Sequence, residues 1–193
     1  MDATPVISKA TDMNLYVFTE PSRAAVYGVG TYIRELIAAL RHSQINVCVV
    51  HLRSDKESQD ICTHIAYTGM LDQSQLNEWY CIADVGVVPS LFLTFGYVAV
   101  EMMMHGLPVV AAATSGLNEV VGDTCGLKIP LIKHTDKVEI DPGVLAAKVV
   151  NLLQNQGERK RLGKNARKRY LEKYSLPVFK KQMFDFYRSL YSV

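Results

Sequence analysis

Gly96 stands five residues ahead of Glu101 in the run FGYVAVEMMMH, and this pairing carries the clearest chemical signal in the chain. A glycine where a helix begins lets a ligand approach backbone N–H groups that the helix leaves unpaired, and the positive end of the helix dipole favours a phosphate at that point. Glu101 follows among Val98, Val100 and three methionines, where a carboxylate is costly to bury without a partner. A ribose diol is one such partner; the other reading puts Glu101 on the exposed side of an amphipathic helix. Thr94 and Phe95 form the loop ahead of Gly96. A second glycine loop, Ser115-Gly116, precedes Glu119, which is read either as facing the ligand or as a favourable charge in the first turn of a helix.

These loops need elements to hold them. ADVGVVPS reads as a buried strand ended by proline, YVAVEMMMH as a helix, PVVAAA as the next strand, and SGLNEVV as the start of another helix. In an open parallel sheet, ligands bind outside the carboxyl ends of the strands, so both loops are expected to face one crevice.

The opening of the chain repeats the order. NLYVFTE is a β-rich stretch, PSRAAVYGVG a glycine loop carrying Gly28 and Gly30, TYIRELIAAL a helix with Ile33, Leu36, Ile37 and Leu40 at helical spacing, and INVCVVHL a strand apolar on both faces. RSDKESQD, residues 53–60, is wholly polar and is the best candidate boundary. His64 to Tyr67 is a weak strand, and Asp72 starts a helix over Gln75–Cys81. After GDTCGLKIP, a loop with a short strand, come two helices, the first bounded by Pro142 near its start and Gly157 after its end. A third, LPVFKKQMFDFYRSLY, gathers Phe179, Met183, Phe186, Tyr187 and Leu190 on one apolar face. Strands alternating with helices predict an α/β fold: a doubly wound, mostly parallel, Rossmann-like sheet with helices on both faces and a helical C-terminal tail.

Composition limits the function classes. About half of the 193 residues are hydrophobic and the formal net charge is +2, the balance of an ordinary globular protein with no overall field toward nucleic acid. Arg159 to Lys173 is locally basic but also holds Glu172, as expected of a solvated helix face; anionic lipid or nucleic acid is its alternative partner. Cys48, Cys62, Cys81 and Cys125 have no short paired spacing and are expected to be reduced, buried thiols. No secretory signal pattern and no membrane-length apolar run is found, so a cytoplasmic protein is expected. His51 and His105 are expected to be structural and Trp79 part of the core. With neither an aspartate-x-aspartate pair nor a His/Glu cluster, no metal and no resident cofactor is expected.

Four segments in order, ADVGVVPS, FGYVAVEMMMHGLPVVA, SGLNEVV and CGLKIP, closely resemble the C-terminal domain of family-4, or group 1, retaining glycosyltransferases of GT-B fold. The resemblance runs over residues 61–190, while YGVGTYIRELIAAL and INVCVVHL resemble the first loop, helix and second strand of the family's N-terminal domain. It implies one Rossmann-like unit over 1–193, made of an N-domain-like β-α-β unit at 12–54 and a C-terminal-like region at 61–193, with the polar loop between them as a deletion junction. In that arrangement the opening strands would fill the sheet edge vacated by the missing start of the C-terminal domain.

The family transfers a sugar from a nucleoside diphosphate donor to a hydroxyl acceptor with retention, without a metal. The resemblance assigns the ribose-binding glutamate to Glu101 and the diphosphate-holding amides to Thr94, Phe95 and Gly96, with Gly28 and Gly30 closing from the other side. The family's sugar-binding glutamate, separated from the ribose glutamate by seven residues, corresponds to Leu93, which accepts no hydrogen bond. Its Arg/Lys pair for the departing diphosphate has no match; Arg23 and Lys128 are the nearest candidates. The implied partners are a nucleoside-diphosphate sugar and an acceptor glycan or lipid-linked sugar, with weak peripheral membrane contact and no nucleic acid. The rival readings are a non-catalytic nucleotide-sugar or interaction module, favoured by Leu93, and a dinucleotide oxidoreductase, disfavoured because Ile33 occupies its third glycine position.

Overall fold

The computed structural model of the protein describes residues 71–191, and from the preceding chain the backbone strands β1 (Met13–Thr19) and β2 (Ile45–His51). Gly28, Gly30, Arg23, the 31–40 helix, the 53–60 loop and the 64–67 strand lie outside the described residues, as do the side chains of Cys48, His51 and Cys62.

The remaining elements are α1 (Gln73–Ile82), β3 (Val85–Val88), α2 (Tyr97–Met104), β4 (Val109–Ala112), α3 (Ser115–Val120), β5 (Gly126–Ile129), β6 (Leu131–Lys133), β7 (Val138–Ile140), α4 (Pro142–Gln154), α5 (Gln156–Lys173) and α6 (Leu176–Tyr191). Five strands form one parallel sheet in the order β2-β1-β3-β4-β5, so the opening strands join the main sheet at its edge, Leu15 pairing with Val85 and Val17 with Val87.

Side chains in β3 and β4 alternate between the two faces, and both faces are covered, which is why these strands read as unbroken apolar runs. Val85, Val87, Val110 and Ala112 pack with Leu145, Val149, Leu152 and Leu153 of α4. Val88, Val109 and Ala111 pack on the opposite face with Tyr80 of α1, Ala99, Met102 and Met103 of α2, and Leu117 of α3. The sheet is therefore the doubly wound α/β arrangement expected, with helices on both sides.

Local chemistry sets most helix ends. Asp72 starts α1 as expected, forming a capping box with Gln75. Asp141 caps α4 through Gly143 N and Val144 N, with Pro142 in the first turn. Gly157 does not follow the end of α4 as a terminator: α4 stops at Gln154, Asn155 caps α5 by accepting from Glu158 N, and Gly157 falls inside α5. The short antiparallel hairpin β6–β7 was not foreseen, because its HTDK turn carries no glycine or Asn-Gly signal.

Helix α5 clamps three other helices. Arg159 Nη1 donates to Leu152 O and Leu153 O at the end of α4, Arg167 Nη1 donates to Met104 O at the end of α2, and Arg169 donates to Glu119 O and Val120 O at the end of α3. Each guanidinium satisfies carbonyls that a helix C-terminus leaves without intrahelical partners. These arginines correct the reading of 159–173 as a merely solvated basic face. Among the described residues, no helix is long and apolar enough to cross a membrane.

Candidate functional site

The loop ending at Gly96 follows the carboxyl end of β3, and Thr114 and Ser115 follow that of β4. Gly96 is the N-cap of α2 in the left-handed conformation, φ 97°, a geometry that glycine adopts without strain, and no side chain caps the helix there. A Cβ on Gly96 would meet Leu117 Cδ2 at 2.9 Å, and one on Gly116 would meet the Leu93 and Thr94 carbonyl oxygens at 2.6 and 2.7 Å. The two glycines thus allow the 93–96 loop and the start of α3 to pack against each other. Thr94 is exposed, Phe95 is half-buried, and the Phe95 ring packs edge-on against Tyr97 and Tyr174.

Glu101 points neither into solvent nor into an unpaired core. It is half-buried, and its Oε2 accepts from the Tyr80 hydroxyl at 3.0 Å. Burial, and then the adjoining Glu101 charge, push the Tyr80 phenol far above its usual range, so it remains a donor at any working pH. Sequence reasoning supplied the need for a partner and missed Tyr80, which lies 21 residues away in the chain. One carboxylate oxygen is held, and Oε1 keeps its acceptor capacity for a diol.

Thr114, absent from the sequence-derived set, caps α3 by position, yet its Oγ1 is buried and makes no hydrogen bond among the described residues. A threonine directly before Ser115-Gly116 was the available signal. Glu119 departs from expectation: it is the fifth residue of a six-residue helix, not in its first turn, so the dipole-charge reading falls. Its side chain is exposed, and its backbone oxygen serves Arg169 and Tyr174. Lys128, half-buried on β5, pairs with Asp123 at 2.8 Å and reaches Asn118 O at 3.4 Å. Leu93 is half-buried against the cluster around Tyr80 and Leu117.

Among the described residues, no group of three His, Cys, Asp or Glu side chains could hold a metal. Trp79 is half-buried against the same cluster, and Cys125 is buried, but Cys81 is exposed, contrary to expectation, at the last turn of α1.

A family model described as glycosyl transferases group 1 matches residues 17–155. The chain is 35% identical over 116 residues to D-inositol 3-phosphate glycosyltransferase 2 of Catenulispora acidiphila, a match covering 60% of this chain and 26% of that protein. Among solved structures it superposes on sucrose-phosphate synthase from Thermosynechococcus elongatus with a TM-score of 0.72 and 26% identity, covering 93% of this chain and 46% of the synthase. It also superposes, at TM-score 0.68 and 16% identity, on a variant of S. aureus TarM in complex with Fondaparinux, alpha-GlcNAc-glycerol and UDP, covering 92% of this chain and 35% of TarM. The chain spans less than half the length of each of these relatives. With most of its length matched by the family model and its sheet arranged as in these transferases, the chain belongs to the glycosyl transferases group 1 family.

Proposed function

We propose that the chain binds a nucleoside-diphosphate sugar at the mouth of α2 and serves transfer of the sugar, with retention, to a hydroxyl on a glycan or lipid-linked acceptor. The observation that carries this reading is Glu101, half-buried on α2 and steadied by Tyr80, about 7 Å along the helix from the uncapped N-terminus at Gly96. That spacing suits a ribose at the carboxylate and a diphosphate at the helix start, where the amides of Thr94, Phe95 and Gly96 and the helix dipole offer positive potential. The buried Thr114 hydroxyl supports it, since an unmet buried donor costs about 1–3 kcal/mol and a ligand in this crevice would supply an acceptor. A structural neighbour crystallised with UDP is consistent with the same ligand class.

No metal or resident cofactor is needed for this role. Gly28 and Gly30 are proposed to close over the diphosphate from the unit at 12–54, and the 61–193 region to carry the nucleotide. Cytoplasmic placement and weak peripheral membrane contact belong to the same proposal.

Leu93 and Lys128 favour a second reading, nucleotide-sugar binding without turnover. Leu93 offers a donor sugar no acceptor, and Lys128 is already engaged by Asp123 instead of standing free for a departing diphosphate. Calorimetry with UDP, GDP and their sugar conjugates, run beside an assay for donor hydrolysis and transfer, separates the two. Binding with turnover supports the transferase, binding alone the module, and failure of every nucleotide to bind removes both.

A further inference from the structure

At the far end of α2 from Gly96, three side chains outside the nucleotide crevice form a nucleophile–base–orienter row. Asn77 and Cys81, four residues apart, share one face of α1, and the imidazole of His105 sits against both: Cys81 Sγ lies 3.4 Å from Nδ1 and Asn77 Oδ1 lies 3.2 Å from Nε2. Asn77 Oδ1 also accepts from Gln73 Nε2 at 3.3 Å. A carbonyl oxygen only accepts, so His105 Nε2 carries the proton and Nδ1 turns its lone pair to the thiol. The ring also packs against Tyr80, whose ring centre lies 5.6 Å away, while the His105 backbone N–H closes the end of α2 on Glu101 O and Met102 O.

We propose that Cys81 is a thiol-exchange site, with His105 as its base and Asn77 as the residue that positions the base, and that its co-reactant is a small anionic disulfide. This is the arrangement an activated nucleophile requires. Cys81 is exposed, whereas Cys125 is buried and bonded to Asn165 O. His105 also lines an open groove of about 750 Å³ with Met104, Arg167, Tyr170 and Leu171. Arg167 spends one N–H on Met104 O and keeps others for a carboxylate on the incoming molecule.

The step balances without a further reagent. The Cys81 S–H proton moves to His105 Nδ1, Cys81 Sγ bonds to one sulfur of the disulfide, and the disulfide S–S bond breaks. The departing sulfur leaves as a thiolate and takes the proton from the imidazolium, giving a mixed disulfide on Cys81 and one free thiol.

The charged and titratable groups facing His105 are Arg167 from α5, Glu101 from its own helix and Tyr80 from α1. Burial and then Arg167 hold the imidazole below its ordinary pKa, and Glu101 opposes them. The imidazole therefore stays neutral, and able to take the Cys81 proton, to lower pH than an ordinary histidine would.

Alkylation of Cys81 by iodoacetamide, followed by peptide mass spectrometry from pH 5 to 9, tests this in the wild type, His105→Gln and Asn77→Ala, with a melting curve for each. The wild type should show a shoulder of reactivity below the ordinary thiol range, and at pH 7 should react at least about threefold faster than His105→Gln, which should follow one thiol titration. Asn77→Ala should lower the shoulder. Oxidised glutathione should modify Cys81 ahead of Cys125 and faster than the cationic disulfide cystamine does. One ordinary titration in the wild type, or rates unaltered in both variants, overturns the site; cystamine outpacing oxidised glutathione overturns the anionic co-reactant. If His105→Gln does not fold, the wild-type profile and Asn77→Ala decide.

Discussion

The hydroxyl of Tyr80 on α1 donates to Oε2 of Glu101 on α2 across 3.0 Å, tying the carboxylate behind Gly96 to the helix that precedes the strand below it. Burial would otherwise disfavour a charge at Glu101, and the phenol holds one of its oxygens while the other keeps its acceptor capacity. Glu101→Gln should weaken UDP binding roughly ten- to a hundredfold, the scale of a hydrogen bond to a charged group. Tyr80→Phe, which leaves the charge but frees it, should weaken binding less, roughly tenfold or below. Calorimetry ranks the two. A larger loss in Tyr80→Phe, or none in Glu101→Gln, would remove Glu101 from the site.

Gly116 sits where any side chain would press on the Leu93 and Thr94 backbone. Backbone cannot swing aside as a flexible side chain can, so Gly116→Ala should displace the 93–96 loop and cost on the order of 1–3 kcal/mol of stability. Urea unfolding measures the cost, and a UDP thermal shift reports the loop. Retained stability together with retained binding would show that the two loops are not held in this contact.

Arg169 donates to Val120 O at 2.9 Å and to Glu119 O at 2.7 Å, serving the end of the short helix that begins at Thr114. Arg169→Met keeps the stem and removes both donors, so about 1.5–3 kcal/mol should be lost. Neutralising exposed Lys168 instead should change stability by less than about 0.5 kcal/mol, since its contact with Glu172 is a surface pair at 3.8 Å. Equal effects in a denaturant titration would contradict the clamp.

His105 makes stability depend on pH in the acid direction. Its pKa is lowered by burial and then by Arg167, so below about 6.5 the unfolded chain takes up this proton more readily than the folded one. The stabilisation is complete above that pH and declines as pH falls toward the lower folded value. Asp123, Glu139 and Glu158, held low by Lys128, by Lys137 and His134, and by Arg161, act only near and below the ordinary carboxylate range. Melting curves between pH 5 and 7.5 should therefore fall more steeply in the wild type than in His105→Gln. Parallel curves would exclude His105 as the source.

Several elements were legible because one local pattern dominated each. Val85–Val88 and Val109–Ala112 are strands covered on both faces, so their apolar runs are unbroken; Gly96 and Pro108 bracket α2 from outside. Elsewhere two local signals competed. Gly157 suggested the end of α4, but Asn155 both ends that helix and caps α5, which carries the chain through the glycine. Cys81 beside an apolar run reads as buried, yet the last turn of α1 leaves it exposed. Of the two readings of Glu119, the first-turn one fails because the helix begins four residues earlier.

From sequence alone came the strand–helix alternation, the resemblance to group 1 glycosyltransferases, the glycine at the mouth of α2 and the need for a partner at Glu101, all properties of neighbouring residues. Only the folded chain decided that the partner within the protein is Tyr80, that α5 arginines close three helices, and that Asn77, Cys81 and His105 form one row. Periodicity and propensity act over a few residues, whereas these contacts join side chains that are brought together by burying both faces of one sheet.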